Sequence, residues 1–231
     1  MIKTKPVAVS LFDMTGNMVR PLANMGYECL VFDLQNVDHI EACSNGGSIQ
    51  FIKADLLDSK WLELIKARSP AIVYSFPPCT DLAVSGALHF ASKKATNPAY
   101  RSEAMTLVYI GRDIAEQVGC PYMIENPVSV ISTEWRKPDH SFHPYEFGGY
   151  LPTNDVHPEW PQYILPRDAY PKKTCLWTGN GFEMPARNPV PILSGYSSQY
   201  LKLGGKSIKT KNIRSATARG FALACALSLN A

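Results

Sequence analysis

Two short segments carry the residue types best suited to chemistry: SFPPCTD (75–81) and ENP (125–127). Each closes an apolar run, AIVYSF (71–76) and PYMIEN (121–126), that reads as a strand. The sequence therefore sets a thiol, Cys79, and a carboxyl, Glu125, at the tips of two strands. Pro77 and Pro78 fix φ and lack N–H groups, so the loop that carries the thiol is stiff. A thiolate at a strand tip near a helix N-terminus is an activated nucleophile. A carboxyl beside it can hydrogen-bond or protonate a ring nitrogen. The pair fits covalent attack on an electron-poor heterocycle, with the carboxyl stabilising the charge that develops on the ring. The plainer reading is a turn that contains a buried cysteine. A cysteine hydrolase needs a histidine base, and His89, the nearest in sequence, has no supporting pattern.

Other strands end in polar residues too. VAVSLFD (7–13) runs into Phe12, Asp13 and a turn containing Gly16. CLVFDL (29–34) ends at Asp33, 17 positions after Gly16, and IQFIKAD (49–55) ends at Asp55. An acid about 20 residues beyond a glycine turn is the usual partner of a ribose hydroxyl in nucleoside-binding α/β folds. Between these runs lie a short helix within residues 14–27 and a second helix over 61–69. The spacing of Met105, Val108, Ile110, Ile114 and Val118 predicts an amphipathic helix over 99–118. A strand, TCLWTG (174–179), and a closing helix (214–230) follow. Strands alternating with helices predict an α/β protein with a doubly wound parallel sheet, whose ligands sit at the carboxyl ends of the strands.

Composition narrows the class. Of 231 residues, 45% are hydrophobic and 19% charged, as in ordinary globular proteins. No apolar run approaches the ~20 residues of a membrane span, and the N-terminal residues read as a strand rather than a signal peptide. Six scattered cysteines without a CxxC argue for reduced thiols in a cytoplasm and against a disulfide framework or zinc ribbon. Cys29, Cys120 and Cys225 read as core residues, and Trp135, Trp160 and Trp177 as loop anchors. HSFH (140–143) reads as a surface loop; no metal is expected. Twelve of the eighteen prolines fall between Pro121 and Pro191, which predicts irregular structure there. From Met184 onward there is no Asp or Glu but seven bases, while the preceding residues sum to −4 (16 basic, 20 acidic). A basic C-terminal quarter on an acidic body suggests a polyanion partner.

PPCT (77–80) followed by ENP (125–127) resembles the catalytic pair of the cytosine-C5 DNA methyltransferases, whose pattern is PPC and then ENV. LFDMTGNMVRPLANMGYECLVFDL (11–34) resembles that family's S-adenosylmethionine loop and ribose-binding acid, and KADLLD (53–58) its next cofactor segment. HPYEFGGY (143–150), YPKKTCLWTG (170–179) and RSATARGFALA (214–224) resemble compact members carried by phages and mobile elements. The resemblance implies a Rossmann-like, S-adenosylmethionine-dependent methyltransferase fold. In it Cys79 attacks carbon 6 of cytosine, and Glu125 binds ring nitrogen 3 and the exocyclic amine. Phe12, Asp13, Gly16, Asp33, Asp55 and Pro77 hold the cofactor. Asn126, Lys172, Lys173 and the bases Lys206, Lys209, Lys211 and Arg214, within a basic stretch 202–219, contact DNA.

Three features depart from the family pattern. Met14 stands where a glycine is usual, Pro127 replaces the valine of ENV, and no Gln-Arg-Arg segment is present; Lys172 and Lys173 are its nearest candidates. Between the 174–179 strand and the last helix only residues 180–213 remain, too few for a recognition domain of ~50 residues or more. The expectation is one domain over 1–231, with a loop-rich region (134–213) and short or relaxed sequence specificity. The alternatives are a methyltransferase acting on free cytosine nucleotides and a catalytically degenerate, DNA-binding relative.

Overall fold

The structure, a computed structural model, describes residues 5–192, 195–204 and 207–230. Its strands are β1 (Val7–Leu11), β2 (Glu28–Asp33), β3 (His39–Ala42), β4 (Ser48–Lys53), β5 (Ile72–Ser75), β6 (Tyr122–Pro127), β7 (His140–Phe142) and β8 (Thr174–Gly179). They form one sheet in the order β3-β4-β2-β1-β5-β6-β8-β7. β4, β2, β1, β5 and β6 run parallel, so their carboxyl ends share one edge. β8 lies antiparallel to β6, and β3 antiparallel to β4. The fold is thus mixed α/β with a mostly parallel sheet. The helices are α1 (Arg20–Asn24), α2 (Lys60–Ala67), α3 (Phe90–Thr96), α4 (Tyr100–Val118), α5 (Ile131–Glu134), α6 (Ser198–Lys202), α7 (Ile208–Ser215) and α8 (Arg219–Leu229). None is long and apolar enough to cross a membrane.

Packing divides the chain into two compact units. The first comprises the chain up to Gly16, Leu22–Ser141 and Thr174–Phe182. All residues of β1 and β5 are buried, as their unbroken apolar runs require of central parallel strands. α4 buries Ala104, Met105, Val108, Gly111, Ile114 and Ala115, the spacing of one helical face. Ile110 and Val118 pack at the margin of the same core. Gly111 is where α4 approaches the sheet most closely: a Cβ there would lie 2.6 Å from Ser75 Cβ and 2.7 Å from its Oγ. That contact sets the helix against the last residue of β5, directly before the Pro-Pro-Cys loop.

The second unit comprises Asn17–Pro21, Phe142–Lys173 and the chain from Glu183 on. Phe142, Phe147 and Phe221 pack as a triad, with centroids 4.2–5.4 Å apart. The Arg219 guanidinium grips Asp155 through two bonds of 2.8 and 2.7 Å and reaches Asp168 at 3.4 Å. His157 Nδ1 accepts the backbone N–H groups of Glu159 and Trp160. Burial first, and then the Arg219 charge, push this imidazole down to about 4, against the pull of Asp155, so the ring is neutral at pH 7.

Three expectations need correction. The helix expected over 214–230 is two helices, α7 and α8, separated by extended residues at Ala216 and Ala218. The break follows from Asp168, whose carboxylate accepts the N–H groups of Arg219 (2.6 Å) and Gly220 (3.3 Å) and so starts a new helix there. HSFH is not a surface loop: His140–Phe142 is an edge strand, and Phe142 is buried. The basic stretch 202–219 is not uniformly available to a polyanion, because the half-buried Arg219 is engaged by Asp155 and Asp168.

Gly111→Ala forces overpacking between α4 and β5 worth about 1–3 kcal/mol. The thermal midpoint should fall by roughly 2–4 °C for each kcal/mol. A circular-dichroism melt superimposable on the wild type would contradict this contact.

Candidate active site

At the end of β1 the chain turns sharply. Phe12 has φ +56°, a left-handed conformation that costs a non-glycine residue about 1–3 kcal/mol and marks functional loops. Asp13 follows and is buried. One of its carboxylate oxygens accepts Ser10 Oγ (2.7 Å); the other accepts the N–H groups of Thr15 (2.8 Å) and Gly16 (2.9 Å). Asp13 therefore shapes the loop from within. Gly16 has φ +65°, and a Cβ there would lie 2.9 Å from the Phe51 ring, so glycine is required twice over.

Asp33 closes β2 and is half-buried, its Oδ1 accepting the N–H of Gln35 at 2.7 Å. Burial raises its carboxyl above the usual range, Gln35 lowers it, and the Asp13 charge raises it; the net shift is upward. Asp55, beyond β4, is exposed and accepts the N–H of Leu57 at 3.1 Å. One residue that sequence reasoning passed over binds these strand ends together. The buried Asn36 amide donates to the carbonyls of Asp13, Val31 and Ile52 at 3.1–3.4 Å. The only signal for it was an asparagine three residues after the acid that closes a strand.

β5 and β6 are adjacent and parallel, with Ser75 opposite Ile124. Two residues on, Asn126 Nδ2 donates to the Pro77 carbonyl at 2.9 Å. Asn126 is 1% exposed, and its Oδ1 has no hydrogen-bond partner among the described residues. The segments beyond are laced as well: Ala83 bridges Ser129, Val84 N–H donates to Val128, and Val130 N–H to Leu82, both at 3.0 Å. The carbonyl of Cys79 accepts the N–H groups of Leu82 and Ala83, closing the turn that holds the thiol. Cys79, in the turn four residues past the end of β5, and Glu125, within β6, are both half-buried.

None of the six cysteines is in a disulfide. Cys29, Cys120, Cys175 and Cys225 are buried, and Cys43 and Cys79 are not. Burial pushes the Cys29 thiol up to about 12, Cys120 up to about 11 and Cys225 well above its usual value, which leaves all three protonated and unreactive at pH 7. Among the described residues no group of three or more His, Cys, Asp or Glu is arranged to hold a metal.

The basic residues of the sequence reading lie in the second unit. Lys172 Nζ donates to the Arg214 carbonyl at 2.7 Å, and Lys173 is exposed. Lys209 and Lys211 are exposed on α7, and Arg214 donates to the Leu203 carbonyl. Lys206 lies outside the described residues. Arg136 is absorbed by structure, holding Asp139 at 2.6 Å and the Thr178 carbonyl at 2.7 Å. Trp177 is buried in β8, its indole N–H donating to the Arg136 carbonyl at 2.7 Å.

The chain matches no protein-family model and no curated protein. Among solved structures it is similar to one from E. coli described as a "putative DNA modification methyltransferase encoded within prophage". The identity is 9% and the TM-score 0.47, with 81% of this chain aligned to 53% of that one. The chain spans about half the length of that protein, and a likeness this distant assigns no activity.

Asn126→Ala deprives the buried Pro77 carbonyl of its donor and should destabilise the protein by about 1–3 kcal/mol. Hydrogen exchange should quicken at the N–H groups of Leu82 and Ala83 while the β1–β2 ladder keeps its protection. Wild-type stability with unaltered exchange would show that the bond does not hold the loop.

Proposed function

We propose that this protein is an S-adenosylmethionine-dependent DNA methyltransferase that modifies carbon 5 of cytosine through a covalent bond to Cys79. The observation that carries the reading is the clamp at the carboxyl edge, where Asn126 ties the Pro-Pro-Cys loop to the strand that bears Glu125.

The strand order supports a doubly wound sheet. From β1 the chain moves outward through β2 and β4, then returns to place β5 and β6 on the other side. The switch point lies between β1 and β5, where open α/β sheets bind their ligands. The Phe12–Gly16 turn opens on one side of it and the Cys79 loop on the other.

The residues present fit the cofactor. The left-handed turn at Phe12 and Gly16 follows the end of β1, with Gly16 held against the Phe51 ring, and the half-buried Asp33 beyond the next strand is suited to ribose hydroxyls. In this reading Asp55 would approach the adenine and Pro77 would border the sulfonium. Asp13 serves by holding the loop in shape. S-adenosylmethionine, when bound there, supplies an electrophilic methyl group.

Cys79 adds as thiolate to carbon 6, and the electrons of the ring double bond pass to carbon 5. Glu125 holds ring nitrogen 3 and the exocyclic amine, stabilising the charge that addition places on the ring. Asn126 Oδ1, buried and unpartnered among the described residues, is suited to accept a hydrogen bond from the same amine. Once carbon 5 has gained its methyl, loss of its proton restores the double bond and expels the thiolate.

DNA is the proposed polyanion. Lys209 and Lys211 are exposed, Lys173 is exposed, and residues 184–231 contain no acid. Such lysines supply affinity through phosphates without reading sequence. The short 180–213 segment fits short or relaxed target specificity.

Expression in a methylation-free host followed by bisulfite sequencing should reveal protected cytosines. Cys79→Ser should bring protection to background while calorimetry shows S-adenosylmethionine affinity within about twofold of wild type, since the thiol acts in the chemical step. Turnover retained in that variant would exclude the covalent route.

A further inference from the structure

The second unit holds a pair of aromatic rings out in water. Tyr196 and Tyr200 are 63% and 68% exposed, yet their rings stack, with centroids 5.8 Å apart and planes inclined by 20°. Leu201, next in sequence, is 64% exposed. Single exposed apolar side chains are ordinary, but a contiguous cluster marks a surface that meets a partner. The segment that carries the rings is fastened from behind. Ser197 caps α6 by accepting the Tyr200 N–H at 3.1 Å, and Ser198, Gln199 and Leu203 are buried. Ser198 Oγ donates to the Tyr163 carbonyl at 2.5 Å, and the Leu203 carbonyl accepts from Arg214. The short helix therefore cannot roll its tyrosines inward.

Cations accompany the rings. Lys202 ends the same helix, exposed, with its ammonium on the Gln162 carbonyl at 2.9 Å. The Lys209 ammonium lies 6.0 Å from the centre of the Tyr163 ring, on the residue to which Ser198 is bonded. Lys211 is exposed on the same helix as Lys209. Residues 184–231 contain no acid to offset these charges. An apolar protein surface laid on the tyrosines would strip water from the lysines and give them no counter-charge. A single nucleic-acid strand supplies both needs, with base faces for the rings and phosphates for the lysines. In a duplex the base faces are already stacked on one another and offer the rings nothing.

We infer that Tyr196 and Tyr200 form a stacking platform for unpaired bases, and that the strand it holds is single-stranded DNA. The choice of DNA rests on the methyltransferase reading above; the platform stands on the rings and lysines of the second unit alone. Every base has a π-face, so such a platform holds a strand without selecting its sequence.

Fluorescence anisotropy on the full chain without cofactor tests this with three labelled DNAs: a single strand, its duplex, and a single strand with abasic sites in place of its central bases. Replacing both residues, Tyr196→Ala with Tyr200→Ala, should weaken the ordinary single strand at least about tenfold, since each stacked base contributes. Duplex affinity should stay within about twofold, because phosphate contacts remain. Wild type should hold the abasic strand as weakly as the double variant holds the ordinary one. Tyr196→Phe with Tyr200→Phe should restore binding. Lys209→Ala should lower the slope of log affinity against log salt by about 0.7 for the single strand. Equal single-strand affinity of wild type and the double alanine variant, or an equal loss on the duplex, would overturn the platform. Tighter binding of RNA of the same sequence would overturn the assignment to DNA. The expected loss in a protein that methylates no DNA would uphold the platform and overturn only the Cys79 reading.

Discussion

One buried hydrogen bond, from the Asn126 amide to the Pro77 carbonyl, fixes how two strand ends meet. β5 and β6 run parallel, so their tips would splay into separate loops once the ladder ends. Pro77 and Pro78 cannot extend that ladder, because neither has an N–H to donate. The Asn126 side chain continues the pairing where the backbone stops. It holds the Cys79 loop beside the strand end that bears Glu125, and the bonds between 82–84 and 128–130 prolong the seam. Prolines that stiffen the loop and an asparagine that anchors it are two halves of one device: rigidity alone would leave the loop free to pivot at Ser75.

A similar economy governs the first strand end. Phe12 is held in an unfavourable backbone conformation. The cost is offset by Asp13, whose buried carboxylate collects Ser10, Thr15 and Gly16, and by Asn36, whose amide joins the ends of β1, β2 and β4. Such loops are pre-shaped before any ligand arrives, which lowers the ordering entropy that binding must meet. In the second unit Asp168 joins two roles, initiating α8 and sharing Arg219 with Asp155. A half-buried guanidinium held between two acids is fixed for structure, which is why net charge alone overstates the cations available to a polyanion.

Much of the sheet was legible because its central strands are continuous apolar runs bounded by turns. VAVSL, IVYS and TCLWTG need burial on both faces, and the sheet supplies it. β3 was not legible, since HIEA lies on an exposed edge and carries no alternation. Its hairpin signal, Asn45-Gly46, was present and unread; Gly46 takes φ +80° there. β7 is three residues long, below the length at which periodicity speaks. The division of the last helix was hidden because Asp168 lies 51 residues before Arg219, and no local pattern announces so distant a cap. The position of Phe12, Asp33, Cys79 and Glu125 at or just beyond the strands was legible because each follows an apolar strand pattern. Asn36, and Asn126 as a clamp, depend on tertiary contacts that composition and spacing do not encode.

The central claim is a bond between Cys79 sulfur and carbon 6 of cytosine. Replacing the carbon 5 hydrogen of the target with fluorine tests it directly, because the final step must expel a proton and fluorine cannot leave in its place. Incubation with S-adenosylmethionine and DNA carrying 5-fluorocytosine should give a complex that survives denaturant, with the nucleotide mapped by mass spectrometry to the peptide containing Cys79. Methylation of ordinary cytosine by the same preparation with no such complex, or a nucleotide attached to another residue, would contradict the account.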